Sequence, residues 1–219
     1  MRPFKRVLLS FLVVGGLSMF SLAGTFATLT SESANRSATI QSGSLTLSNL
    51  VGSGSTCFSY TSTTNSKSCD ALFSSSTLVY PGQSQSVHVT VTNSGTIAGS
   101  NLSLYMPTCT AAASPGAPSP GGGNPCASGG PALTISETNS SWASPSCVFP
   151  TFGGTCTYTA GTLYFMSTKK DTSHLYSLNE GLAVGQTRYF VISLQLPTAA
   201  ANTLQGEQAQ FDLTWLVSQ

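Results

Sequence analysis

Apolar and polar residues alternate with a period of two along much of this chain, a rhythm that puts successive side chains on opposite faces of extended strands. Ser44-Leu45-Thr46-Leu47-Ser48, Val87-His88-Val89-Thr90-Val91-Thr92 and Leu102-Ser103-Leu104-Tyr105-Met106 all carry it. Asn93-Ser94-Gly95-Thr96 reads as a turn that joins the last two as antiparallel neighbours. Residues 189–196 are apolar on both faces, as a central strand is. Phe211, Leu213, Trp215 and Val217 alternate with Gln210, Asp212 and Thr214 in a last strand. These two strands are expected to form the middle of the core, with Leu163 and Phe165 adding to it. Charged residues are only 7% of the 219, so the Lys, Glu and Arg that populate exposed helices are scarce. Turn signals separate short strands throughout, which predicts an all-β, two-sheet sandwich.

The first residues follow a different logic. Met1-Arg2-Pro3-Phe4-Lys5-Arg6 is basic, and residues 7–24 form an uncharged apolar run ending in small residues. That is the layout of a secretory signal peptide, with cleavage expected after Ala27. The run is shorter than the roughly 20 apolar residues a spanning helix requires, so an uncleaved anchor is the second choice. The expected organisation is a signal peptide over 1–27, an extended N-terminal segment over 28–41 and a sandwich domain over 42–219. The mature protein is then secreted, outside the cell or on its surface, and meets the membrane only through its signal peptide. Removing the three basic residues of the leader takes the formal charge from +1 to −2. Nucleic acid is excluded as a partner, because it demands a basic patch. Low surface charge also removes the repulsion that keeps soluble proteins apart, which suits a self-associating subunit.

Six cysteines, Cys57, Cys69, Cys109, Cys126, Cys147 and Cys156, are an even number in a chain read as exported, and predict disulfides. Sequential pairing is expected, since each consecutive pair encloses a short polar segment with little else to hold it. No close C-x-x-C pair suggests a thiolate metal site, and no cysteine is odd or near a histidine, as a nucleophile is. Residues 111–131 are dense in Pro and Gly and read as a long surface loop clipped by Cys109 and Cys126, or as a binding loop.

Three segments together resemble the TasA and camelysin type of secreted biofilm-matrix fibre proteins, which leave the cell with a dedicated signal peptidase. The first is Gly24-Thr25-Phe26-Ala27 with the strand Ile40-Gln41-Ser42-Gly43-Ser44-Leu45-Thr46-Leu47. The second runs from Val79-Tyr80-Pro81-Gly82-Gln83-Ser84 through Val87, Val89 and Val91 to Asn93-Ser94-Gly95-Thr96. The third runs from Leu194-Gln195-Leu196-Pro197 through Asn202-Thr203-Leu204-Gln205-Gly206 to Phe211-Asp212-Leu213-Thr214-Trp215. The resemblance implies a jelly-roll-like sandwich whose subunits form a homopolymer by lending an N-terminal strand to the next copy. It also implies contacts with other matrix proteins or polysaccharide. Physical reading of the segment agrees: residues 28–41 are polar, freed only on cleavage, and able to add to an open sheet edge. Thr28, Leu29, Ala38 and Ile40 are the donor-strand candidates, while Leu45 and Leu47 read as the domain's own first strand. The disulfides and the Pro/Gly loop depart from the family pattern.

The camelysin branch is described as proteolytic, but zinc chemistry needs three ligands in a pattern such as H-E-x-x-H, and this chain has only His88 and His174, far apart. Both read as surface histidines. Glu137, Asp171, Glu180, Glu207 and Asp212 form no evident catalytic pair. No catalytic residue, metal ligand or cofactor is assigned, and the chain reads as a structural protein. The alternative is a monomeric adhesion or carbohydrate-binding module in which Trp142, Tyr105 or Tyr158 stacks on sugars.

Overall fold

A computed structural model describes residues 42–60, 69–73, 81–116, 121–159, 161–200 and 202–219. Its regular structure is almost entirely antiparallel strand. The larger sheet is built outward from β9 (Thr187–Gln195), which pairs on one side with β3 (Ser84–Asn93) and on the other with β6 (Ala132–Thr138). The run over 189–196 thus lies mid-sheet, where both neighbours are strands. β1 (Leu47–Val51) and β2 (Cys57–Phe58) extend the β3 side, and β7 (Ser146–Phe149) extends the β6 side, giving the order β2-β1-β3-β9-β6-β7. β3 shows why the alternation works: Val89, Val91 and Asn93 face the core, while Ser86 and His88 face water. Its entry is the Pro81-Gly82 turn, where Gly82 adopts φ 84°, a region that favours glycine, and donates its N–H to the Leu196 carbonyl at 2.7 Å.

The opposing layer is a ribbon. β4 (Asn101–Tyr105) pairs with β11 (Thr214–Ser218) and with β8 (Tyr176–Ser177); β5 (Cys109–Ala113) pairs with β10 (Glu207–Phe211). β4 leads directly into β5 and β10 into β11, so the two pairings form one long ribbon with a break. At the break Thr108 Oγ1 donates to Asp212 Oδ2 at 2.8 Å. Between the layers lies a single cluster that includes the fully buried Phe149, Phe190, Leu102, Leu104, Leu133 and Ile192. Each such side chain contributes about 1.5–3 kcal/mol when withdrawn from water. Phe190 of β9 meets Trp215 of β11 across the layers at 4.6 Å.

Three expectations need correction. β3 and β4 are not paired neighbours; they lie in different sheets. The chain changes layer at Asn93, whose buried side chain donates to the carbonyls of Ile97 and Leu182 and accepts from the Gly95 N–H. That fastened corner replaces a hairpin. The last strand is not in the middle of the core: among the described residues β11 pairs with β4 alone, and no residue of β10 or β11 is fully buried. The segment carrying Leu163 and Phe165 is the short helix α1 (Thr162–Ser167). Helical spacing buries Leu163 and Met166 but leaves Phe165 47% exposed. The Thr162 hydroxyl accepts from the Leu133 N–H and donates to the Leu133 carbonyl, where β6 extends past its pairing with β7.

The cysteines form the three sequential bridges, Cys57–Cys69, Cys109–Cys126 and Cys147–Cys156. The Pro/Gly loop is shorter than 111–131, because residues 111–113 belong to β5. Its glycines are fastened: Gly121 and Gly123 donate to the carbonyls of Gln205 and Thr203, and Gly122 to Glu207 Oε1. A Cβ on Gly123 would stand 2.4 Å from the Thr203 oxygen, so only glycine permits this approach. Backbone bonds therefore fasten residues 121–123, and the Cys109–Cys126 bridge with the buried Pro125 and Cys126 fastens the stretch after them.

Candidate functional site

The two layers part along one side of the core. A groove enclosing about 2160 Å³ opens between the inward face of β1, with Leu47 and Val51, and the ribbon edge, with Phe211, Leu213 and Trp215. Those ribbon side chains pack on the core yet remain only partly buried, because no further strand among the described residues lies outside them. Trp215 rests against Phe190, and Phe211 against Phe73 at 6.3 Å. The Cys57–Cys69 bridge sits at the groove and ties in residues 69–73, whose Leu72 and Phe73 pack on the core. On β1, the Asn49 Oδ1 is buried without a hydrogen-bond partner and its residue lines the same groove. Chemically this is a groove beside a strand edge with an apolar floor and a polar rim that includes Asp70, Glu207 and Asp212, and it offers side-chain pockets and a backbone ladder.

A buried ion-pair network lies elsewhere. Arg188, at an inward position of β9, is 5% exposed and its guanidinium forks onto Glu137, with Nε 2.6 Å from Glu137 Oε1. Nη2 also bonds Glu137 and Glu180, whose side chains are 25% and 63% exposed. The Arg188 Nη1 is buried without a partner. This network ties β6, β9 and the 180 loop together, and its carboxylates are committed to the guanidinium. Arg188 was not a sequence-predicted site residue; its signal was a lone arginine in phase with the inward-facing Phe190 and Ile192.

The other sequence-predicted residues are dispersed. His174 and Asp171 form a 2.9 Å pair in an exposed turn, and the His174 side chain, then the Ser173 N–H, hold the Asp171 carboxyl below its ordinary 3.8. Glu207 accepts from Gly122, and Asp212 from Thr108. Tyr105 lines the groove and Tyr158 is exposed, with no ring contact joining either to Trp142. Trp142 instead stacks on His88 at 4.0 Å, their planes 8° apart, and meets Tyr189 edge-on. Among the described residues no group of three or more His, Cys, Asp or Glu is placed to hold a metal ion. Ala27 and the donor-strand candidates Thr28, Leu29, Ala38 and Ile40 lie outside the described residues. No protein-family model matches the chain, and no curated protein matches it.

Proposed function

We propose that this chain is a secreted structural subunit that polymerises into extracellular or cell-surface fibres, with residues 28–41 of one copy entering the groove of the next. The observation that carries the reading is the groove beside the β10–β11 edge, with Leu47, Val51, Phe211, Leu213 and Trp215 along it. An extended segment laid there continues the backbone ladder of the ribbon, while its alternate side chains fill the channel over Leu47, Val51 and Trp215. Ala38 and Ile40 are two residues apart and therefore fall on one face of such a strand. An incoming N–H also supplies the donor that the buried Asn49 Oδ1 lacks. Three disulfides suit an oxidising, extracellular setting, and low charge removes the repulsion between copies. The resemblance to the TasA and camelysin type, with its jelly-roll-like topology, belongs to the same proposal.

Negative-stain microscopy of protein beginning at Thr28, beside protein beginning at Gln41, tests it. Fibres from the first and monomers from the second support strand donation. Monomers from both across pH and concentration refute self-assembly.

A further inference from the structure

The outward face of the six-stranded sheet is a different surface, on the side away from the groove. Even-numbered residues of β3 and β6 and odd-numbered residues of β9 point outward, and none of them is Lys, Arg, Asp or Glu. They are chiefly hydroxyls: Ser86, Thr90, Thr92, Thr187, Ser136 and Thr138. Two cross-strand pairs are hydrogen-bonded, Ser86 with Ser193 at 2.7 Å and Thr92 with Thr187 at 2.8 Å. Each such pair consumes one of its two O–H hydrogens; Ser193 is buried, and Ser136 and Thr138 donate to Cys156 Sγ and the Tyr189 carbonyl, so the hydroxyls left open to a ligand are chiefly those of Ser86, Thr90, Thr92 and Thr187.

Onto this face the β6–β7 loop lays the Trp142 indole. The loop is held by Asn139, whose side-chain oxygen accepts from the Ser141 and Ala143 N–H groups and whose carbonyl accepts from the Trp142 N–H. Trp142 and Ser144 both have left-handed backbones, φ 61° and 55°. For a residue as bulky as tryptophan that conformation is costly, and it persists where the surroundings dictate it. Here they fix the indole parallel to the exposed His88 imidazole, with Tyr189 at its edge. The product is a partly exposed aromatic plate bordered by hydroxyls on a face without charge.

That combination selects a ligand class. Phosphate polymers and acidic glycans require a cluster of Lys or Arg, which the outward positions of β3, β9 and β6 do not offer. An apolar peptide would strand the hydroxyls. A neutral pyranose satisfies both parts, since its axial C–H face is apolar and its equatorial hydroxyls radiate at the rim. β-1,4 linkage keeps successive rings in a flat ribbon that matches a sheet face, whereas an α-linked chain curls away. We infer that the outer face of β3, β9 and β6 binds a neutral, β-1,4-linked polysaccharide, with a sugar ring stacked on Trp142 and the strand hydroxyls bonded to its rim.

The test titrates protein beginning at Thr28 with cellohexaose, chitohexaose and the α-linked maltohexaose, reading indole emission and heat. Saturable binding of at least one β-linked hexasaccharide is expected, with maltohexaose much weaker. Trp142→Ala is expected to weaken it about tenfold, the scale of one stacked aromatic contact. Trp142→Phe retains part of the affinity and guards against misfolding of the alanine variant, and the emission of Trp215, the other of the two tryptophans, reports an intact core. No saturable binding of either β-linked sugar, unchanged affinity in a folded Trp142→Ala variant, or equal binding of maltohexaose would each overturn the inference. Sugar binding is read whether or not fibres form, so its outcome is independent of the assembly proposal.

Discussion

Replacing Arg188 with methionine keeps the volume of the side chain and removes the cation from a nearly closed site. Removing one partner of a buried ion pair costs about 3–5 kcal/mol, because the remaining charge is stranded. Here the two carboxylates differ: Glu180 is 63% exposed and rehydrates freely, while Glu137 is 25% exposed and does not. Discounting the exposed pair to about 0–1 kcal/mol leaves most of the loss on Glu137, so Arg188→Met is expected to cost about 2–3 kcal/mol. Adding Glu137→Gln to that variant removes the stranded charge and should restore about half of the loss. Glu180→Gln alone should cost under about 0.5 kcal/mol. Equilibrium urea unfolding measures all of these, provided the slope against denaturant is unchanged. An Arg188→Met variant within about 0.5 kcal/mol of the parent, or equal costs for Glu137→Gln and Glu180→Gln, would refute the argument that burial decides the energy.

Two further outcomes follow from the fold. Cys109 and Cys126 are 17 residues apart, so replacing both with serine should cost about 3 kcal/mol by loop-closure entropy; a loss below about 1 kcal/mol in thermal unfolding would refute that estimate. Tyr176 donates its hydroxyl to the Val148 carbonyl, and burial raises its folded-state pKa above the ordinary 10.0. The neutral form is favoured on folding, so this stability is present below pH 10.0 and lost as pH climbs through the raised value. Urea midpoints from neutral to alkaline pH should therefore fall more steeply for the parent than for Tyr176→Phe, and parallel curves would disprove the assignment.

How far these features were legible depended on whether their cause was local. β3 and β9 could be read directly, because alternation and a two-faced apolar run each report a strand's own environment. The corner at Asn93 could not, since the carbonyl of Leu182 that it grips is remote in sequence and Asn-Ser-Gly-Thr looks like any tight turn. Arg188 escaped for a related reason: the carboxylates that make an inward arginine tolerable come from β6 and the 180 loop. α1 is too short for its i, i+3 pair of Leu163 and Met166 to register as a helical pattern. The groove depends on where two layers separate, which no single strand encodes. Trp142 could be proposed as a sugar-stacking residue from its type alone, but its partnership with His88 required the β6–β7 loop to fold back across the sheet.

The three disulfides have a consequence for survival among proteases. Each joins cysteines 9 to 17 residues apart and closes around a stretch containing loop. A backbone break anywhere between bridged partners leaves the two fragments covalently attached and the strands on either side still paired. Such a nicked subunit would migrate as one piece until treated with reductant, and could keep its place in a larger structure after its exposed loops had been cut.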